Sequence, residues 1–153
     1  MLLSNFTNKI ILNNKTDQEA IEFLEDIAAG YHLLNSFKKS IPFLERAYML
    51  KEKVYGDVSL ECAKSLEMIG NSYFGIKDHH NAIRNYEKSL DIKKKVFKDQ
   101  FVLSISNSYY FLGLAHFEKM NTISALENFE KALDVLLKIK NITDIKLEIA
   151  KVN

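Results

Sequence analysis

The chain has 153 residues, of which 47% are hydrophobic and 27% charged, which is typical of one globular domain with an ordinary core. With 21 basic and 20 acidic residues, its net charge of +1 gives no bulk attraction for nucleic acid or an anionic membrane. The single cysteine excludes an intramolecular disulfide and favours a reducing compartment. Because a signal-peptide pattern and an apolar run of about 20 residues are also missing, we expect a cytoplasmic protein without membrane insertion.

Helical periodicity extends over nearly the whole chain. Residues 1–15 leave two alternatives open, a short capping helix or an arm. Thr16 and Glu19 then form a capping-box pattern that begins a helix to about Leu34. Five further helices are predicted at about 37–54, 58–74, 79–97, 100–119 and 122–139, and a last short one at about 143–152. The connections are short, so consecutive helices should form antiparallel hairpins.

The helices repeat in pairs. Ala28, Gly70 and Gly113 follow one another at intervals of 42 and 43 residues. Small and aromatic positions recur around them: Ala28, Tyr31 and Ala47 in the first copy; Gly70, Tyr73, Ala82 and Tyr86 in the second; Gly113, Ala125, Phe129 and Ala132 in the third. Small residues are needed where helix backbones approach closely, so we expect Gly70 and Gly113 to face Ala82 and Ala125.

This pattern resembles the tetratricopeptide repeat, W-x2-L-G-x2-Y followed by A-x3-F. The 42-residue period, and the run from Ser40 to Gly56 (SIPFLERAYMLKEKVYG), are similar to the long repeats of the kinesin-light-chain type. The resemblance implies an all-α fold, a right-handed superhelical solenoid of three antiparallel helix pairs plus short terminal helices. The repeats would span 16–57, 58–99 and 100–141. Residues 1–15 would form an arm or cap, and 142–153 a C-terminal capping helix or the start of a fourth repeat.

In this family the first helices of the repeats line a concave groove that binds a partner. The resemblance implies that the groove is lined by Glu22, Glu25, Ala29, His32, Lys64, Glu67, Asn71, Phe74, Asn107, Tyr110, Phe117 and Glu118, with Leu33, Gly75 and Leu114 nearby. Glu25 and Ala29 stand where chaperone-tail binders carry a Lys/Asn carboxylate clamp, so that role is not expected. Glutamates beside aromatic residues suit a partner peptide that is basic and partly apolar, and Asn71 could bind its backbone.

Catalytic and metal-binding motifs are missing from the sequence, so we expect no enzyme, cofactor or metal. Cys62 is interpreted as a packing residue rather than a reactive thiol, and His79-His80 as part of a turn. The lysines from Lys93 to Lys98 end a helix, where cations complement the helix dipole. The sequence therefore favours a protein-binding adaptor. The alternative is a scaffold that forms a homo-oligomer or joins an assembly through its ends or convex face.

Overall fold

The computed structural model describes the backbone of residues 16–98 and 100–152, and side chains as far as residue 144. Within these ranges it contains six α-helices. They are α1 (Asp17–Leu33), α2 (Phe37–Tyr55), α3 (Leu60–Gly75), α4 (His79–Phe97), α5 (Leu103–Glu118) and α6 (Thr122–Val152). Each helix packs against the next along the chain, as in an α-solenoid. The predicted all-α solenoid is confirmed, whereas the structure of residues 1–15 lies outside the described residues.

The turn inside each helix pair has the same geometry three times. Asn35, Lys77 and Met120 occupy the left-handed region, with φ of 51°, 63° and 61°. After each of them, the next backbone N–H donates to a carbonyl five residues earlier, for example Ser36 N to Tyr31 O at 2.8 Å. This is the Schellman type of helix end, which satisfies the last carbonyls of the first helix and reverses the chain.

Two helix boundaries differ from the sequence prediction. Helix α5 begins at Leu103, about three residues later than expected, after an extended Val102. The predicted break near residue 140 is wrong, because α6 continues without interruption to Val152. Residues 143–152 are therefore a continuation of the sixth helix and not a separate short one.

The glycines of the repeat pattern face aromatic rings. A Cβ added to Gly70 would lie 2.6 Å from the Tyr86 ring, and one added to Gly113 would lie 2.5 Å from the Phe129 ring. These rings, rather than the expected Ala82 and Ala125, supply the nearest atoms. The first repeat has Ala28 at the equivalent position, and it packs in one cluster with Leu44. Glycine thus accompanies an aromatic ring on the second helix, and alanine accompanies leucine.

We call the contact of α2 with α3 the first junction and that of α4 with α5 the second junction. The first junction packs Leu44 against Ile69, and the second packs Leu90 against Ile105 and Leu112. All of these side chains are buried. Their burial fixes the three first helices side by side, and the candidate groove lies along them.

Candidate peptide-binding groove

The twelve predicted groove residues all retain some contact with solvent. Seven are exposed: Glu22, Ala29, Lys64, Asn107, Tyr110, Phe117 and Glu118. The other five are half-buried: Glu25, His32, Glu67, Asn71 and Phe74. The exposed residues include the two aromatic groove residues that were predicted on α5. Tyr110 is 50% exposed and Phe117 is 57% exposed.

Two of the predicted glutamates already have cationic partners inside the fold. The Lys51 ammonium lies 2.5 Å from Glu25, and the Lys93 ammonium lies 2.5 Å from Glu67. Both lysines are buried. Glu67 also accepts a hydrogen bond from the Ser108 hydroxyl at 3.0 Å. Their negative charges are therefore largely compensated and contribute less to the groove's field than the sequence indicated.

The polar side chains of the groove make internal hydrogen bonds as well. The Tyr86 hydroxyl donates to Asn71 Oδ1 at 2.7 Å, and burial raises the pKa of Tyr86, so the hydroxyl keeps its proton. The Asn71 amide group retains its two N–H donors for other contacts. His32 Nε2 lies 2.7 Å from the Ser72 hydroxyl, and burial lowers the pKa of His32.

An aromatic pocket opens beside Asn71. Its volume is about 280 Å³, and it is lined by Phe37, Asn71, Phe74, Gly75, Tyr86, Phe111 and Leu114. The Tyr86 and Phe111 rings are stacked, with centroids 5.7 Å apart. Phe74 is held by an edge contact with the His79 ring at 5.3 Å. An apolar pocket with one amide at its margin fits a side chain that is apolar and next to a peptide group.

A second pocket of about 280 Å³ lies where α1 and α3 begin and α2 ends. It is lined by Gln18, Ile21, Glu22, Glu25, Lys51, Tyr55, Leu60, Glu61 and Lys64. Because three carboxylates face two ammonium groups, this charged pocket retains a small negative excess. It contains the predicted Glu22, Glu25 and Lys64, whereas the aromatic pocket contains Asn71 and Phe74. The remaining seven predicted groove residues line neither pocket.

The sequence reasoning missed Phe37 and Phe111 as lining residues. Phe37 begins a second helix, and the family pattern takes the groove from first helices only. A Cβ on Gly75 would overlap the Phe37 ring, so the glycine at the end of α3 is a signal in the sequence for a ring there. A third pocket, also missed, measures about 490 Å³ and is lined by Lys94, Lys98, Gln100, Phe101, Ile105, Tyr109, Lys131, Asp134 and Val135.

Cys62, one of the residues considered for catalysis, lies inside the fold. Cys62 is buried, and burial raises the pKa of its thiol, against a smaller opposite effect of the Ser59 hydrogen bond. The thiol contacts Gly56 O at 3.2 Å. Among the described residues, His, Cys, Asp and Glu form no group of three or more that could hold a metal ion. No helix in the described ranges combines the length and apolar character needed to cross a bilayer.

The sequence itself matches a known family. The tetratricopeptide repeat profile aligns with residues 18–95, which is about half of the chain and includes the first two helix pairs. The chain belongs to the tetratricopeptide repeat family. Members of this family are protein–protein interaction modules, and they are typically not enzymes. The predicted repeat identity is confirmed.

Solved structures show the same fold. The crystal structure of BtubC (BKLC) from P. vanneervenii is similar over 78% of this chain, with a TM-score of 0.73 and 16% identity. The present chain spans about half of that protein, 48% of its length. The tetratricopeptide domain of Arabidopsis FLU matches over 80% of this chain and 99% of its own, with a TM-score of 0.71 and 15% identity. A search of curated proteins gave no match.

Proposed function

We propose that this domain binds a partner peptide or helix in the groove along α1, α3 and α5, and acts as a cytoplasmic adaptor without catalytic activity. The aromatic pocket is the observation that supports this proposal most strongly. It joins side chains of both junctions, and its amide retains unused donors. An apolar anchor of the partner would fill the pocket, and Asn71 would bind the carbonyl next to it.

The charge preference proposed for the partner is modest. Glu22, Glu61 and Glu118 remain exposed, whereas Glu25 and Glu67 are paired with lysines. We therefore propose a partner whose affinity depends mainly on an apolar anchor, with basic residues toward the charged pocket. Basic residues would increase the association rate more than the affinity, and salt would weaken this effect.

An array of synthetic 12-residue peptides tests the proposal. One set combines an aromatic or aliphatic anchor with Lys and Arg, a second replaces the basic residues with Asp and Glu, and a third lacks the anchor. We expect the first set to bind best and the anchorless set to bind least. The variant Leu114→Asp, which puts a charge into the aromatic pocket, should weaken binding by about tenfold or more, as expected for a lost buried anchor contact.

Leu103→Asp is the matched control, because Leu103 lies on the same helix, is 57% exposed and lines neither pocket. It should leave peptide binding unchanged, and circular dichroism should show equal helicity for both variants. If Leu114→Asp binds every peptide like the unmodified protein, the groove is not the binding surface. Glu67→Lys is unsuitable as a probe, because it would place two ammonium groups together beside Ser108.

A further inference from the structure

The outer face of α6 carries apolar side chains at positions whose equivalents in α2 and α4 are buried. Positions in α2, α4 and α6 correspond at intervals of 42 and 43 residues, as the cluster of Ala28 with Leu44 and the ring contacts of Gly70 and Gly113 show. By that correspondence Leu126 is equivalent to Ile41 and Ile83, Leu133 to Tyr48 and Leu90, and Leu136 to Lys51 and Lys93.

The exposure of these positions changes abruptly at α6. Ile41 and Ile83 are each 8% exposed, whereas Leu126 is 58% exposed. Leu90 is 6% exposed against 56% for Leu133. Lys51 and Lys93 are buried, whereas the equivalent residue of α6, Leu136, is apolar and 41% exposed. An uncovered apolar face of this kind is typical of an interaction surface.

The chain does not turn back to cover this face in the way that α3 covers α2. Helices α2 and α4 end at Tyr55 and Phe97, and the equivalent position in α6 is Lys140. Helix α6 nevertheless continues to Val152, more than three turns farther. The earlier repeats are each followed at this point by the first helix of the next repeat. After Lys140 no such helix begins, because α6 continues.

A regular seam runs along the same face. Its residues follow at intervals of four, three, four, three and four: Leu126, Glu130, Leu133, Leu137, Lys140 and Asp144. This is the spacing at which one helix packs along another over several turns. The centre of the seam is apolar, with Leu133 and Leu137 both more than half exposed. The charge is acidic before this centre, at Glu130, and basic after it, at Lys140.

We propose that α6 joins two copies of this protein in an antiparallel, two-fold symmetric dimer. Glu130 before the centre and Lys140 after it face opposite charges of a second copy only when that copy runs in the opposite direction. With the two-fold axis near Val135, Leu133 lies on Leu137 of the second copy, and Glu130 lies beside Lys140 of the second copy. The axis repeats both contacts, as an isologous interface requires. Leu126 and Asp144 lie at the rim, where water reaches the carboxylate.

Sedimentation of the whole 153-residue chain over a concentration series tests this dimer. We expect the unmodified protein to associate reversibly and Leu133→Glu to remain monomeric. Leu133 is exposed in the monomer, so circular dichroism and thermal unfolding of this variant should show a folded protein. A protein that is monomeric at every concentration, or a dimer that survives Leu133→Glu unchanged, would overturn the proposal.

Charge reversal tests the antiparallel register and needs no loss of apolar surface. Glu130→Lys alone and Lys140→Glu alone should each raise the dissociation constant of the dimer by about tenfold or more, because each places like charges together twice. The double variant restores opposite charges and should regain most of the affinity. Single variants that dissociate like the unmodified protein would contradict the register. Leu114→Asp in the groove is the control, and it should leave the dimer intact whether or not the groove binds peptides.

Discussion

The two junctions are built on the same backbone pattern, but their polar contacts lie at opposite ends of the helices. At the first junction, the Ser72 hydroxyl lies 2.9 Å from the Ser40 hydroxyl and 2.7 Å from His32 Nε2. This triad is close to the turns inside the helix pairs. Its equivalents at the second junction are apolar: Ala115, Ala82 and Phe74.

At the second junction, the polar contacts lie near the beginning of the first helices. Lys93 donates to Glu67 at 2.5 Å and to the Ser108 hydroxyl at 2.8 Å, so one ammonium group joins the second and third repeats. At the first junction Lys51 and Glu25 form the equivalent pair, but the hydroxyl equivalent to Ser108 belongs to Ser65. It is buried and has no hydrogen-bond partner among the described residues. The small residues determine the distance between the helices at both junctions. The polar contacts between the helices can then lie at either end of them.

Removing the ammonium group at the second junction should have the largest effect. Lys93→Met leaves the Glu67 carboxylate, 19% exposed, without its cation, and should lower the free energy of unfolding by about 3 kcal/mol. Lys51→Met is the matched change at the first junction, where Glu25 is 28% exposed and better solvated. Lys51→Met should lower the free energy of unfolding clearly less than Lys93→Met does. Urea unfolding followed by circular dichroism compares the two, and equal losses would show that the link through Ser108 adds nothing.

The first and second repeats also differ in the contact between their helices: Gly70 meets the Tyr86 ring in the second, and Ala28 packs with Leu44 in the first. Gly70→Ala forces the buried Tyr86 ring to move, and overpacking should outweigh the helical preference of alanine to give a net loss of about 2 kcal/mol in thermal unfolding. Adding Tyr86→Leu recreates the Ala28 and Leu44 pair of the first repeat and should recover part of the loss. Gly30→Ala is the control, because its Cβ meets no atom within 4 Å. It should stabilise the protein by up to about 1 kcal/mol. A loss at Gly30 similar to that at Gly70 would contradict the role of the ring.

The fold could be predicted because its determinants are local and repeated. The Thr16–Glu19 capping box forms as expected, and the 42- and 43-residue intervals place the helices to within about three residues. The end of α6 could not be predicted in this way. The repeat indicated a break near residue 140, at the position equivalent to the end of α4. There the chain leaves the helix at Lys98, whose φ is 51°, whereas α6 continues through Lys140 and Asn141.

The candidate groove was less predictable than the fold, because the family pattern gives positions and not partners. Glu25 and Glu67 stand at positions that the family pattern assigns to the groove, yet each is followed 26 residues later by a lysine that pairs with it. The equal spacing in two repeats was a signal for this pairing, and it is visible in the sequence. The aromatic pocket depends on Phe37 and Phe111, which come from outside the groove positions. Only packing in three dimensions brings these rings to Asn71.

The smallest expected effect concerns the triad of the first junction and depends on pH. Burial lowers the pKa of His32 below its ordinary value of 6.5, so the unfolded chain binds this proton more readily than the folded one. The stability contributed by neutral His32 is therefore complete above about pH 6.5 and is lost as the pH falls through the lower pKa of the folded state. His32→Phe combined with Ser40→Ala and Ser72→Ala recreates the apolar residues of the second junction. It should remove this part of the pH dependence while changing stability at pH 8 by about 1 kcal/mol or less, since paired polar groups are replaced together. Urea midpoints between pH 5 and 8 measure the difference, and an unchanged slope in the triple variant would exclude His32 as its source.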